Sequence, residues 1–203
     1  MAQFALPLSD ALPGEPARIV IGAGNRAAIE ALRNPRSWPF NTAIVTGPPR
    51  SGKSLLLRWF AEQHEGTVMD DAPGLDEAEV FHAWNRAQES GRPLLLAADE
   101  GSWTIRLPDL ASRIGAALHL ALSPPDDAMA AELIMAHAAR RKLALGEGAA
   151  AYLVPRIERS HAMIEQVVEA IDRLSLERKA PPTMSVWRDA LDAVQGPEQG
   201  RLL

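Results

Sequence analysis

Asn41-Thr42-Ala43-Ile44-Val45-Thr46-Gly47-Pro48-Pro49-Arg50-Ser51-Gly52-Lys53-Ser54-Leu55-Leu56-Leu57-Arg58-Trp59-Phe60-Ala61-Glu62-Gln63 is the stretch that decides the fold. Residues 41–46 read as a buried strand that runs straight into a glycine-bearing loop. The residues after Lys53 are strong helix formers with no nearby glycine. The loop Gly47 to Ser54 fits G-x-x-x-x-G-K-[ST]. That spacing serves phosphate for a physical reason. Its glycines let backbone N–H groups turn inward, the following helix offers its positive end, the lysine neutralises β/γ charge, and the hydroxyl can ligate Mg²⁺. Gly47, Pro48, Pro49, Arg50, Ser51, Gly52, Lys53 and Ser54 are therefore the expected seat of ADP or ATP, with Ser54 on the metal.

Upstream, Ile19 to Ile21 is a short β-like run, Asn25 stands where it would cap a helix over 26–32, and Pro35 to Pro39 ends that helix. Downstream, strands are expected at 67–71, 93–98 and 117–122, separated by helices at 76–90 and 107–114. Ser123-Pro124-Pro125 then breaks the chain. From Asp126 on, only helices are expected, at about 126–143, 147–157, 160–178 and 184–194, with Ser160 and Thr183 as caps of the last two. Alternating strands and helices followed by helices alone imply an α/β domain with a small helical one. The expected divisions are a tail over 1–16, a nucleotide-binding α/β domain over 17–124 and a helical domain over 125–203.

The bulk numbers narrow the class. A chain of 203 residues with 47% hydrophobic content can bury a substantial core. A net charge of -5 argues against a protein that grips nucleic acid through a broad basic face. There is no cysteine, so disulfides, thiolate nucleophiles and cysteine metal sites are excluded. Apolar runs fall short of a membrane span, and a cytoplasmic protein is expected. The five histidines and five tryptophans lack metal-ligand or triad spacing and read as packing or surface residues. Arg140-Arg141-Lys142 reads as the solvated end of a helix.

Mg²⁺ at a nucleotide usually draws on a carboxylate at the end of a neighbouring strand. Asp70-Asp71 follows Val68-Met69, and Asp99-Glu100 follows Leu94 to Ala98. The residue pattern alone leaves both pairs open.

Three further segments carry a resemblance. Ile19-Val20-Ile21-Gly22-Ala23-Gly24-Asn25-Arg26 is similar to the segment that packs near the adenine in the DnaA branch of the AAA+ ATPases. Phe81 to Gly91 resembles that family's helix before the sensor-1 strand. Leu107-Pro108-Asp109-Leu110-Ala111-Ser112-Arg113 resembles the segment whose arginine reaches a nucleotide on a neighbouring subunit. The match runs over almost the whole chain and is strongest to the Hda-type regulators of replication initiation. It implies a parallel three-layer AAA+ sheet with an all-helical lid, and it places Asn25 near the nucleotide. It also implies Asp70 as the Mg²⁺-linked Walker B residue, Asp71 as the acid that positions water, Asp99 as sensor 1 and Arg113 as an arginine finger. Only 16 residues lie between Lys53 and Asp70, too few for the strand and helix the family usually inserts there, so a sheet of about four strands without the family's edge strand is expected.

The lid helix of the family begins with a nucleotide-touching arginine, where this chain has Ala162 or, one residue on, Met163, with Arg159 a turn earlier. Weak or no intrinsic ATPase activity is the consequence expected of losing those charge-assisted bonds. Gln3-Phe4-Ala5-Leu6-Pro7-Leu8 is similar to the family's sliding-clamp-binding motif, with Gln3 offering its amide and Phe4, Leu6 and Leu8 able to fill an apolar groove. The resemblance thus implies the sliding clamp and DnaA as partners, with self-association into a homo-oligomer compatible. With the chain reaching Leu203 directly after the lid, a regulator is expected in preference to an origin-binding initiator.

Overall fold

The computed structural model describes residues 19–101, 103–146 and 148–196. Four parallel strands, β1 (Thr42–Gly47), β2 (Thr67–Met69), β3 (Leu94–Asp99) and β4 (Leu118–Ala121), form one sheet in the order β2-β3-β1-β4. Helices α1 (Arg26–Arg33), α2 (Lys53–Gln63), α3 (Glu77–Ser90) and α4 (Pro108–Gly115) join and flank the strands. Helices α5 (Asp127–Arg140), α6 (Ala149–Leu153), α7 (His161–Arg178) and α8 (Met184–Gln195) follow the last strand.

The sheet is buried on both sides, which explains why its two central strands read as unbroken apolar runs. Their side chains still alternate. Ala43, Val45, Leu95 and Ala97 enter one core with Ile29, Leu32, Leu56 and Phe60, whereas Ile44, Leu94 and Leu96 enter another with Val80, Leu110 and Ile114. The layers are thus α1 and α2 on one face and α3 and α4 on the other. A third core, built around Ile134, Leu153, Ile164, Ile171 and Trp187, belongs to α5 through α8. Burying a leucine-sized side chain contributes about 1.5–3 kcal/mol, so each of these layers is held by many such increments.

Helix ends follow local chemistry. The Asp76, Asp126 and Ser160 side chains accept from the N–H groups of Ala78, Met129 and Met163, and Gly91 ends α3 at a φ of 66°. Two expected caps differ. Thr183 caps no backbone N–H and its hydroxyl lies 3.1 Å from Ser185 Oγ. Asn25 is turned the other way, its Oδ1 accepting from Gly22 N at 2.9 Å and its Nδ2 donating to Val20 O at 2.8 Å. Residues 19–22 therefore form no strand: the side chain of Asn25 ties their backbone locally, while Ile19 and Ile21 pack on the α1/α2 core. Among the described residues no helix is long and apolar enough to cross a membrane.

Candidate functional site: a phosphate loop and its surroundings

The loop lies at the carboxyl end of β1, the place where open parallel sheets offer a crevice. Gly47 has no room for a side chain. A Cβ there would stand 2.8 Å from Leu122 Cβ and 3.0 Å from Ser51 Oγ. Gly52 precedes α2 at a φ of 94°, a left-handed conformation that glycine adopts without strain, and Arg50 holds a φ of 63°. These two left-handed residues turn the chain sharply between β1 and α2. The first N–H groups of a helix have no carbonyl partner within it. Ser51 Oγ is buried without a partner, an orphan donor inside the cradle.

Lys53 holds this geometry together. Its Nζ donates to Gly47 O at 2.9 Å and Pro48 O at 2.8 Å, and it lies 2.8 Å from Asp99 Oδ1. The ammonium is largely buried, whereas Asp99 is about half exposed. Asp99 gets there by register, since it pairs with Gly47 across the two central strands. Asp70 and Asp71 follow β2, one strand further out. Asp70 Oδ1 accepts from Asp71 N at 3.1 Å, and Asp71 takes a φ of 50°. Of the two carboxylate pairs the sequence left open, the Asp99 pair is the one in contact with the loop lysine. The sheet order also puts β2 outside β3, so Asp70 and Asp71 end a strand that does not pair with the strand carrying the loop. Among the described residues no three His, Asp or Glu side chains gather as a metal cage. A hydroxyl, a nearby carboxylate and phosphate oxygens are nonetheless the set Mg²⁺ takes at nucleotides.

The helical portion reaches the loop through α7. Arg50 pairs with Glu165, joining the loop to that helix. Arg159 is bonded to Asp127 at the start of α5, and that bond lowers the Asp127 pKa and raises that of Arg159. Arg159 is therefore already paired within the helical portion. Ala162 and Met163 are half-buried in the first turn of α7, behind the Ser160 cap. His161 in the same turn is buried, a position that a reading of spacing alone assigned to packing.

Arg113 lies elsewhere, on α4. Its guanidinium carbon stands 4.2 Å from the ring centroids of both Phe81 and Trp84, and Nη1 donates to Asn85 Oδ1. Three residues of α3 thus form a shelf for it. Phe40, 54% exposed and at a φ of 51°, extends the shelf at 6.3 Å from Trp84, and Gln88 donates to its carbonyl. This shelf is what reading by motif missed; the signal was there as Phe81, Trp84, Asn85 and Gln88 at helical spacing. Gln3, Phe4, Leu6 and Leu8 lie outside the described residues.

No protein-family model matches the chain. It is 29% identical over 180 residues to an uncharacterized protein of Haemophilus influenzae, an alignment spanning 84% of this chain and 78% of that protein. Its backbone is similar to domain III of the Thermotoga maritima replication initiation protein DnaA, with a TM-score of 0.73, 15% identity, and coverage of 95% of this chain and 100% of that one. AMPPCP-bound DnaA from Aquifex aeolicus gives a TM-score of 0.59 at 18% identity over 79% of this chain and 66% of that one. The Thermotoga maritima RuvB Holliday junction branch migration motor gives 0.54 at 15% identity over 78% and 64%. The parallel β2-β3-β1-β4 sheet, its loop at the end of β1 and the helical portion that follows make this the α/β P-loop fold of the AAA+ ATPases, in the form seen in DnaA domain III.

Proposed function

We propose that this chain is an Hda-type regulator of replication initiation. It holds ADP or ATP with Mg²⁺ at Gly47 to Ser54, docks on the sliding clamp through Gln3, Phe4, Leu6 and Leu8, and presents Arg113 in trans to ATP bound on DnaA. The observation that carries this reading is the likeness to DnaA domain III along 95% of the chain, combined with a phosphate loop whose lysine and glycines are in working geometry. In this reading Lys53 neutralises phosphate, Ser54 and Asp70 serve Mg²⁺, Asp71 orients water, Asp99 senses the terminal phosphate, and the turn fixed by Asn25 shapes the adenine seat. Turnover at the chain's own site is weak, because Ala162 and Met163 supply no charge to a phosphate and Arg159 is bonded to Asp127. The chemistry is then done on the partner, where a finger guanidinium stabilises charge on the transferring phosphoryl group.

A second reading has one observation in its favour. With Arg113 stacked on Phe81 and Trp84, the chain can act as a nucleotide-holding module that binds DnaA without accelerating hydrolysis. One experiment separates the two: ATP hydrolysis by DnaA, followed with this chain and with DNA-loaded clamp. The regulator accelerates it only when clamp is present, and Arg113→Ala removes the acceleration. Hydrolysis by DnaA that stays at its basal rate with the wild-type chain selects the module. Vigorous ATPase activity of the purified chain alone rejects both in favour of a self-contained motor. Deleting residues 1–8 with no change in clamp affinity removes the tail assignment.

A further inference from the structure

Helix α4 has no cap of its own. Leu107, the residue before it, has an apolar side chain that bonds to no backbone N–H, and Pro108 opens the helix. The cap comes from another helix. Glu77, half-buried in the first turn of α3, accepts from Arg106 N through Oε1 and from Leu107 N through Oε2, each at 2.8 Å. A glutamate bonded to the N–H of an N-cap residue is one half of a capping box, and there it belongs to the helix it caps. Here it is supplied from 30 residues away in sequence, and one carboxylate stands at the positive ends of two helices. The rest of that face of α3 serves the same neighbour. The ring centroids of Phe81 and Trp84 stand 4.2 Å from the guanidinium carbon of Arg113, and Asn85 Oδ1 accepts from its Nη1. Glu77, Phe81, Trp84 and Asn85 recur at helical spacing, so one stripe of α3 grips α4 at its start and at its arginine. Between the two grips, Leu110 and Ile114 share a core with Val80 and Ala83. Apolar burial is non-directional and leaves a two-turn helix free to slide or tilt. The paired bonds from Glu77 are directed, and they act on the backbone itself.

We propose that Glu77 is the positioning residue of Arg113: its carboxylate fixes where α4 starts, and so where the guanidinium lies when a partner's phosphate is brought to it. This rests on the reading of Arg113 as a finger acting in trans and adds to it the group that aims the finger. Arg113 comes six residues after Leu107. Six residues span about 9 Å of helix, so a tilt of about 6° at the clamped end moves Arg113 by about 1 Å. A misplacement of that size can cost about 100-fold in rate even when it originates away from the chemistry. A glutamate that merely caps α4 contributes stability and leaves the rate alone.

The test pairs the stimulated rate with a direct view of the guanidinium, using the full chain, DnaA and DNA-loaded clamp. Glu77→Ala should lower the maximal clamp-dependent rate of ATP hydrolysis by DnaA about 10- to 100-fold. The concentration of this chain that gives half the effect should stay unchanged, as should its ADP affinity. Glu77→Gln, which keeps the length and one acceptor oxygen, should restore part of the rate. In protein carrying isotope-labelled arginine, the Arg113 Nε–H resonance is assigned by its loss in Arg113→Ala and is displaced by the Phe81 and Trp84 rings. Glu77→Ala should move it toward the free-arginine position, and Glu77→Gln part of the way. A resonance that moves while the rate holds makes Glu77 a cap only and overturns the proposal, as does a resonance that stays put or a rate that rises. In each of those cases the wild-type chain still accelerates DnaA, so the finger reading stands. If the wild-type chain gives no acceleration, the finger reading fails and takes the proposal with it. Should Glu77→Ala not fold, Glu77→Gln is read in the same two ways: a reduced rate with a shifted resonance supports the proposal, and wild-type values overturn it.

Discussion

Lys53 and Arg113 are both cations held inside the chain's own structure, yet they are held by opposite chemistry. Lys53 is bound by oxygens: two loop carbonyls and the Asp99 carboxylate. Phosphate oxygens can replace such partners one for one, so the lysine is poised for a ligand that arrives with the same kind of acceptor. Arg113 is bound by two aromatic faces and a side-chain amide. A stacked guanidinium keeps its edge donors partly available while its planes are occupied. What must be displaced at Arg113 is ring packing and one amide bond, and on the proposed reading the surface of DnaA does it. The contrast sets an oxygen-bound lysine at the end of β1 against a ring-stacked arginine on α4.

The largest expected effect tests the role proposed for Arg113. Arg113→Ala should lower clamp-dependent hydrolysis of DnaA-bound ATP by about 10³-fold or more while leaving ADP affinity of this chain unchanged, measured as phosphate release and by nucleotide titration. Equal losses in both readouts would mean that the two cations serve one site. Next, Lys53→Ala should weaken ADP binding about 100-fold, as expected for removing charge-assisted bonds worth about 1.5–3 kcal/mol. A loss below about threefold would show that the oxygens around the ammonium, and not a ligand, are what it serves. Trp84→Leu removes one wall of the shelf and should cost about 1–2 kcal/mol in chemical denaturation, with ADP affinity intact. It should also change the stimulated rate, which sharpens the comparison by showing whether the shelf steadies Arg113 or restrains it.

The smallest effect is on pH-dependent stability. His137 and His161 have folded-state pKa values below 6.5, so below that pH the unfolded chain binds protons that the folded chain refuses. Ligand-free stability should therefore be unaffected by these groups above about pH 6.5 and fall as pH drops beneath it. The fall should be at most about 1.4 kcal/mol per pH unit for each histidine and should stop below the folded-state values. Urea denaturation of wild type, His137→Gln and His161→Gln between about pH 5 and about pH 7.5 checks the sign.

Much of this architecture was legible in local sequence. Apolar runs bounded by Gly and Pro located β1, β3 and β4, helical spacing located α3 and α7, and Ser160 caps α7 as its side-chain type requires. The G-x-x-x-x-G-K-[ST] spacing located the cradle, because each glycine answers a constraint that acts within a few residues, as Gly47 and Gly52 do. The cap expected of Asn25 was not found. Its amide had a competing choice between the helix ahead and the backbone behind, and the packing of Ile19 and Ile21 favours the second.

The sequence by itself determined the kinds of element, their order and the place of the glycine-lysine loop between β1 and α2, since these rest on periodicity and backbone preference over short spans. Only the tertiary structure decided which carboxylate touches Lys53, because the order β2-β3-β1-β4 and the pairing of Gly47 with Asp99 are matters of strands 52 residues apart. The stacking of Arg113 on α3 and the burial of His161 with its Nδ1 unpaired were settled there too. Contacts between distant segments depend on how whole faces bury together, and no local spacing encodes them.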